Sequence, residues 1–151
     1  MIFKTVRCII KSDTKFLLAI HNNTRPETIG KWGLVGGHIE QGELFEITAI
    51  REVQEELNLK LERLTEIGDY CYDNALHKVF GIDYKGSRKI TFDPKEILDL
   101  HWFSFEDLKE LKEEQSLHTG FEFEAIQAFE ALAINSPFGL KHQVTTHGIY
   151  Y

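Results

Sequence analysis

The chain has little of what would mark several common classes. Its 151 residues hold 3 prolines, 2 cysteines and 1 methionine. The cysteines, Cys8 and Cys71, have no metal-ligand spacing. Each falls in a strand-like stretch and is expected as a buried free thiol in a cytoplasmic protein. No apolar run approaches the roughly 18 residues of a membrane span, so no membrane partner is expected. Met1-Ile2-Phe3-Lys4 lacks the charged-then-apolar order of a signal peptide. Positive charge is the minority sign, with Lys+Arg 17 against Asp+Glu 24 and a net charge of -7. That balance argues against wrapping duplex nucleic acid, which needs a basic surface. Repeats, low-complexity segments and linkers are missing too, so a single domain over 1–151 is expected.

What is present is ordinary for a globular chain, with 42% hydrophobic and 27% charged residues. Residues 3–10 and 16–20 read as strands joined by the turn Ser12-Asp13-Thr14-Lys15. Residues 21–31 form a polar loop, long enough to suggest a role. Within it Arg25 and Lys31 are candidates for meeting phosphate or base, against the plainer reading of solvated loop cations. Residues 32–35 form another short strand, and 59–74 look mainly extended. Ile67, Tyr70 and Tyr72 there are either core residues or substrate-stacking aromatics, with the core as the plainer reading. Residues 77–84 alternate as a strand, with Phe80, Ile82 and Tyr84 on one side. Residues 85–95 are basic and turn-rich, with a short strand expected at Ile90–Phe92. Residues 97–103 read as a strand with Leu98, Leu100 and Trp102 on one side. Ser104 and Asp107 have the spacing of a capping box and open a helix to about Glu113. A last helix, about 122–134, would place Ile126, Phe129 and Ala133 together. Periodicity alone gives α plus β.

The stretch from Gly36 to Leu59 carries the chemistry. It is a Gly-rich turn followed by one helix. Residues three and four apart on a helix are neighbours, so Glu52, Glu55 and Glu56 share a face. Their like charges repel unless a divalent cation binds, and Mg²⁺ suits an oxygen cluster of this kind. Ala49, Val53 and Leu57 form an apolar row beside it. Gly42 permits the entry turn, and Asn58 can take the left-handed conformation that ends a helix. Gly36 and Gly37 allow close backbone approach, and Gly37 is a candidate to lend a carbonyl to the metal. His38, in the turn, either touches substrate or faces water. Taken by itself, an acidic helix face is most simply a solvated surface.

The spacing overturns that reading. It resembles the Nudix box, G-x5-E-x7-R-E-U-x-E-E-x-G-U, where U is a bulky aliphatic residue. Gly37, Glu43, Arg51, Glu52, Val53, Glu55, Glu56 and Leu59 match, eight of nine specified positions, and Asn58 replaces the last Gly. The resemblance implies an α/β fold, an α/β/α sandwich around a mixed β-sheet. It implies a Mg²⁺- or Mn²⁺-dependent pyrophosphohydrolase that cleaves a P–O–P linkage in a nucleoside diphosphate linked to another group. The bound cation would neutralise phosphoryl charge and acidify a water. Glu55 and Glu56 would be metal ligands, with Glu52 a ligand or the general base. Arg51 and Glu43 would form an internal ion pair that orients the helix. Because the family varies its base, Glu96 is a second candidate and Asp93 a weaker one. The partner expected is a nucleotide-type small molecule, with a homodimer left open.

Two alternatives stay open on the same fold. One is a catalytically silent nucleotide-binding or regulatory module. The other is an isomerase of the isopentenyl diphosphate type, which needs a Cys before the box where Thr28–Gly37 has none. Substrate signatures are missing as well. No proline stands between Pro26 and Pro94, against the ADP-ribose pattern, and the NADH-type Ser-Gln-Pro-Trp is absent. Tyr70 and Tyr72 lie too near the box for the dinucleoside polyphosphate pattern. A nucleoside triphosphate or a nucleotide sugar remains most open.

Overall fold

The computed structural model describes residues 1–135 and 143–145, with side chains as far as residue 132. Its elements run β1 (Phe3–Ser12), β2 (Lys15–His21), β3 (Trp32–Gly33), β4 (Val35–His38), α1 (Phe45–Leu57), β5 (Arg63–Tyr72), β6 (Ala75–Asp83), β7 (Ile97–Ser104), α2 (Phe105–Glu113), α3 (Glu122–Asn135) and β8 (Gln143–Thr145). β1 is the hub of the sheet. It pairs in parallel with β6 from Phe3 to Lys11. On its other edge it turns into β2 at Lys11 and Ser12, while Thr5–Cys8 pair antiparallel with β4. β2 leaves β1 after the hairpin and pairs with β7 and β3. The segment 32–38 therefore bridges two diverging parts of one mixed sheet.

Alternation along the strands supplies both faces. Val6, Cys8 and Ile10 of β1, Leu17 and Ala19 of β2, and Phe80 and Ile82 of β6 join Ala49, Val53 and Leu57 of α1 in one core. Ile9, Phe16, Leu18 and Val79 point the other way, to Leu108 of α2 and Ile126 and Phe129 of α3. Helices thus cover both sides of the sheet, and the expected α/β/α sandwich is present. No helix among the described residues is long and apolar enough to cross a membrane.

Local chemistry sets the helix ends. α1 stops where Asn58 adopts φ 53, and its N–H donates to the Gln54 carbonyl at 3.0 Å. Asn thus performs the left-handed turn that the family motif gives to Gly. Ser104 and Asp107 form the reciprocal capping box that opens α2. β8 pairs with β5, and the rest of the tail beyond Asn135 lies outside the described residues, as does the side chain of Ala133.

Three expectations need correcting. Ile90–Phe92 is not a strand. Ile90 still packs against the α1-side core, but side chains hold the segment rather than a ladder. Arg88 donates to Ser12, and the Trp102 indole donates to the Arg88 carbonyl. Leu98 is 56% exposed and does not share a side with Leu100 and Trp102. His21 pairs with Ile97 and Ile20 with Asp99, so a bulge at Leu98 turns it outward and buries Ile97. Cys71 is exposed, its Sγ 3.2 Å from Met1 Sδ, and only Cys8 is buried as expected.

Phe129 is 1% exposed and wedges against Gly81, where an added Cβ would lie 2.8 Å from its ring. This contact fixes α3 to the centre of the sheet. Phe129→Ala should destabilise the fold by about 3–5 kcal/mol, read by denaturant unfolding.

Candidate active site

A cavity of about 420 Å³ opens between the β1–β4 part of the sheet, the acidic face of α1 and the segment around His118. Its existence depends on two glycines. A Cβ on Gly37 would overlap the Glu52 carboxyl, and one on Gly36, at φ 134, would overlap the Val6 carbonyl oxygen. β4 therefore lies directly against the helix acids. The Gly36 N–H donates to Glu56 Oε1 at 2.8 Å. Glu56 is 3% exposed, and burial pushes its pKa up to about 8. Glu52 is half-buried, and burial raises its pKa against the pull of Arg51.

The acids are braced from behind. Arg51 Nε donates to Glu43 Oε2 at 2.7 Å and its Nη2 to Glu43 Oε1 at 2.9 Å, a bidentate pair. Its Nη1 reaches Glu52 at 2.9 Å and Glu55 at 3.4 Å, and Nη2 also donates to the His38 carbonyl at 3.0 Å. Glu43 in turn accepts from the Glu40 N–H and the Thr48 hydroxyl. The Arg51 hydrogen bonds, more than any other cause, hold the Glu43 carboxyl down at about 2. One guanidinium thus ties the turn to the helix and partly cancels the repulsion among its acids.

Gly37, His38, Glu52, Glu55 and Glu56 all line the cavity, joined from outside the box by Arg25 and Glu96. Arg51, Glu43 and Lys31 do not line it. The first two act as the brace, and the Lys31 backbone N–H closes the loop on the Thr28 carbonyl. Arg25 stands at the mouth, already shared between Glu27 at 2.7 Å and Asp73 at 3.4 Å. Glu96 is exposed, and its carboxylate has no hydrogen-bond or ion-pair partner among the described residues. Asp93 does not line this cavity; its carboxylate caps the Lys95 N–H.

The backbone assigns Gly37 a different part from the carbonyl donor expected of it. The Ile39 N–H bonds the Lys4 carbonyl, so alternation along β1–β4 pairs Gly37 with Val6 in the ladder. Gly36 is turned off the ladder, and its carbonyl accepts from Arg7 Nη1 at 3.2 Å. Gly37 contributes by lacking a side chain, and Gly36 is the residue whose carbonyl is free of the ladder.

Several lining residues carried no signal that sequence reasoning used, Tyr72 excepted, which stood open there as a stacking aromatic. Arg7, His21, Tyr72, His77 and His118 form the side of the cavity away from the helix. Burial lowers the His21 pKa to about 3 and that of His118 to about 4, with the Arg7 charge as the next cause in both. His21 Nε2 lies 2.9 Å from the Leu34 carbonyl, which places its proton there. Its Nδ1 is 3.8 Å from Glu56, and with a neutral ring that approach is not an ion pair. His77 Nδ1 meets the Thr5 hydroxyl at 2.6 Å, and its Nε2 meets the Tyr72 carbonyl at 3.1 Å. A lone Arg in the apolar run of β1 was the available sign.

The donor set is all carboxylate oxygen on the helix side, which suits a hard cation. Among the described residues no three His, Cys, Asp or Glu groups converge into a cage. An open wall of carboxylates suits Mg²⁺ or Mn²⁺ that keeps its own waters and binds through one or two acids plus substrate phosphate.

Comparison with known proteins agrees with the motif and the fold. Residues 1–122 match the NUDIX domain. A NAD-capped RNA hydrolase NudC of Pectobacterium atrosepticum is 33% identical over 104 residues, 68% of this chain but 38% of that protein. The chain thus spans well under half the length of the curated relatives it matches. A MutT NUDIX hydrolase from Burkholderia pseudomallei superposes with a TM-score of 0.60 at 26% identity, covering 71% of this chain and 86% of that one. A Caenorhabditis elegans Ap4A hydrolase shares the fold with a TM-score of 0.70 at 20% identity, covering 88% of this chain and 100% of that one. The chain belongs to the Nudix hydrolase family.

The Arg51–Glu43 brace has a pH signature. The folded-state pKa of Glu43 is depressed, so its contribution is present above the unfolded value of about 4.5 and is lost as pH falls toward about 2. Wild-type Tm should therefore drop over that window more than the Tm of Glu43→Gln. Arg51→Met should lower stability at neutral pH by about 2 kcal/mol, between the values for exposed and buried pairs. Thermal melts across the pH series check both.

Proposed function

We propose that this cavity holds a nucleotide with a P–O–P linkage and hydrolyses that linkage with Mg²⁺ or Mn²⁺ bound at Glu52, Glu55 and Glu56. One observation carries the reading: three acids of α1 and a fourth from outside it, Glu96, open into a single cavity with cationic groups at its floor and mouth. The cation, when bound, supplies charge neutralisation on the phosphoryl oxygens and acidifies a water. The remaining work is positioning and electrostatics, as in other phosphoryl transfers. Water attacks phosphorus, the bridging P–O bond breaks, and a carboxylate takes the proton.

Glu96 is the better candidate for that carboxylate. Glu52 already accepts from Arg51 at 2.9 Å, whereas Glu96 is uncommitted among the described residues. Glu52, Glu55 and Glu56 then serve the cation, with Arg51 fixing the orientation of the first two. The substrate class proposed is a nucleoside diphosphate linked to a further group. The relatives' names, NAD-capped RNA hydrolase and Ap4A hydrolase, do not agree on one substrate, and this chain lacks the NADH-type Ser-Gln-Pro-Trp signature. A nucleoside triphosphate or nucleotide sugar remains the leading choice. One hydrolase domain over 1–151 is part of the same proposal.

A substrate panel with Mg²⁺ and Mn²⁺, with products identified, tests the reading. Chelator should abolish turnover, and added Mg²⁺ should raise the Tm by binding the native state. Full activity in excess chelator sinks the assignment.

Glu52→Gln should lower kcat steeply, because it removes one charge from the metal face. Glu96→Gln should lower kcat by roughly 10²–10⁴-fold, the value of a general base, with an unchanged Tm. Near wild-type turnover in Glu96→Gln beside an inactive Glu52→Gln would return the base role to Glu52.

A further inference from the structure

Arg7 is the one charged residue in an otherwise apolar or neutral run of β1, Thr5–Ile10. It rises from the centre of the sheet, opposite Gly36 on one neighbouring strand and Val79 on the other. Its side chain is half-buried and forms part of the cavity wall. Of its five N–H donors, one has a hydrogen bond among the described residues, to the Gly36 carbonyl at 3.2 Å. No carboxylate forms an ion pair with it among those residues. Glu56 and Glu122 act on it electrostatically without bonding it, and their hydrogen bonds run to backbone N–H groups. Glu56 takes the Gly36 N–H, and Glu122 takes the Thr119 and Gly120 N–H groups at 3.0 and 2.9 Å.

A half-buried guanidinium that faces a cavity with donors unused has capacity for an anionic ligand. Its planar fork matches the oxygens of a phosphoryl group. Its position is suitable, because Gly36 is shared: the N–H goes to Glu56 and the carbonyl to Arg7. The guanidinium thus adjoins the acids proposed to bind the cation. The histidines around it are held neutral and add no positive charge beside it, while Arg25 and Lys4 stand at the exposed rim.

We propose that Arg7 is the phosphate grip of this cavity, donating from the floor of the sheet to a phosphoryl oxygen of the substrate while the helix acids hold the cation. This rests on the hydrolase reading above. It adds a residue outside the box that touches the substrate.

The test uses methylenediphosphonate, whose P–C–P bridge cannot be hydrolysed, titrated into the full chain with Mg²⁺ present. Mn²⁺ alone is titrated in parallel. Arg7→Met should weaken diphosphonate binding roughly 10- to 100-fold, the value of hydrogen bonds to a charged group. The same substitution should leave the Mn²⁺ dissociation constant unchanged or lower, because a positive charge near the acids is gone. Weaker binding of both ligands would instead mean that Arg7 only props Gly36 and Glu56, and would overturn the grip. Unchanged diphosphonate binding in a folded Arg7→Met protein would overturn it as well.

If Arg7→Met does not fold, the wild type decides. The Arg7 Nε–H resonance, assigned against Arg7→Lys, should shift when diphosphonate and Mg²⁺ are added and stay fixed with Mg²⁺ alone. A resonance that ignores diphosphonate overturns the proposal. The substrate panel judges the hydrolase reading separately. A wild type that turns over nucleotides but shows no Arg7 response keeps that reading and loses this one. A wild type that turns over nothing yet binds diphosphonate through Arg7 does the reverse.

Discussion

The site depends on how closely a strand approaches a helix. β4 meets the acidic face of α1 with no side chain between them, since Gly36 and Gly37 leave room for the Glu52 and Glu56 carboxyls. Any Cβ there would drive into backbone or carboxylate, and the wall of the cavity would open. The hydrogen bond from the Gly36 N–H to Glu56 makes the approach specific as well as close. The apolar row of Ala49, Val53 and Leu57 supplies the force that holds the helix down, because it buries against the same part of the sheet. Packing and site geometry are therefore one arrangement, with the chemistry at its edge.

That arrangement concentrates negative charge, and the fold offsets it with two guanidinium groups placed differently. Arg51 lies behind the helix acids and is saturated, bonding Glu43, Glu52, Glu55 and the His38 carbonyl. Arg7 lies inside the cavity and is far from saturated. A saturated guanidinium fixes geometry, whereas an unsaturated one is available to a ligand. Burial raises the Glu56 pKa to about 8, which favours the protonated form and lowers the charge on this face. A cation would favour the ionised form and restore the full acidic face.

Legibility in the sequence followed the range of the physics involved. The box was readable because its logic is local: three- and four-residue spacing on one helix, a permissive Gly42, a helix-ending Asn58. The strands were readable from alternation, and the β6 pattern of Phe80 and Ile82 against Val79 is the split between the two cores. Register was not readable. The bulge that turns Leu98 outward arises where β7 meets β2, two segments about 80 residues apart in the chain. The segment Ile90–Phe92 shows the same limit, since its β-forming residues pair with no strand and Ile90 packs against the core instead. Lys31 and Arg25 looked alike as loop cations, and only the folded loop puts Arg25 at the mouth.

The division between legible and hidden residues also divides the site by role. The legible half sits on one helix and its entry turn, and in the proposed reaction its task would be the anhydride, which many substrates share. The hidden half is assembled from β1, β2, the end of the β5–β6 hairpin and the segment at His118. Those pieces are far apart in sequence and share no motif. Its histidines are neutral and its Tyr72 is half-buried, so it offers hydrogen bonds and ring faces rather than charge. A surface of that kind discriminates the group attached to the phosphates, because a wrong partner leaves its polar groups unpaired. On the proposed function, substrate choice would belong to the wall that the box does not describe, because the box carries features for the reaction and none for the nucleotide.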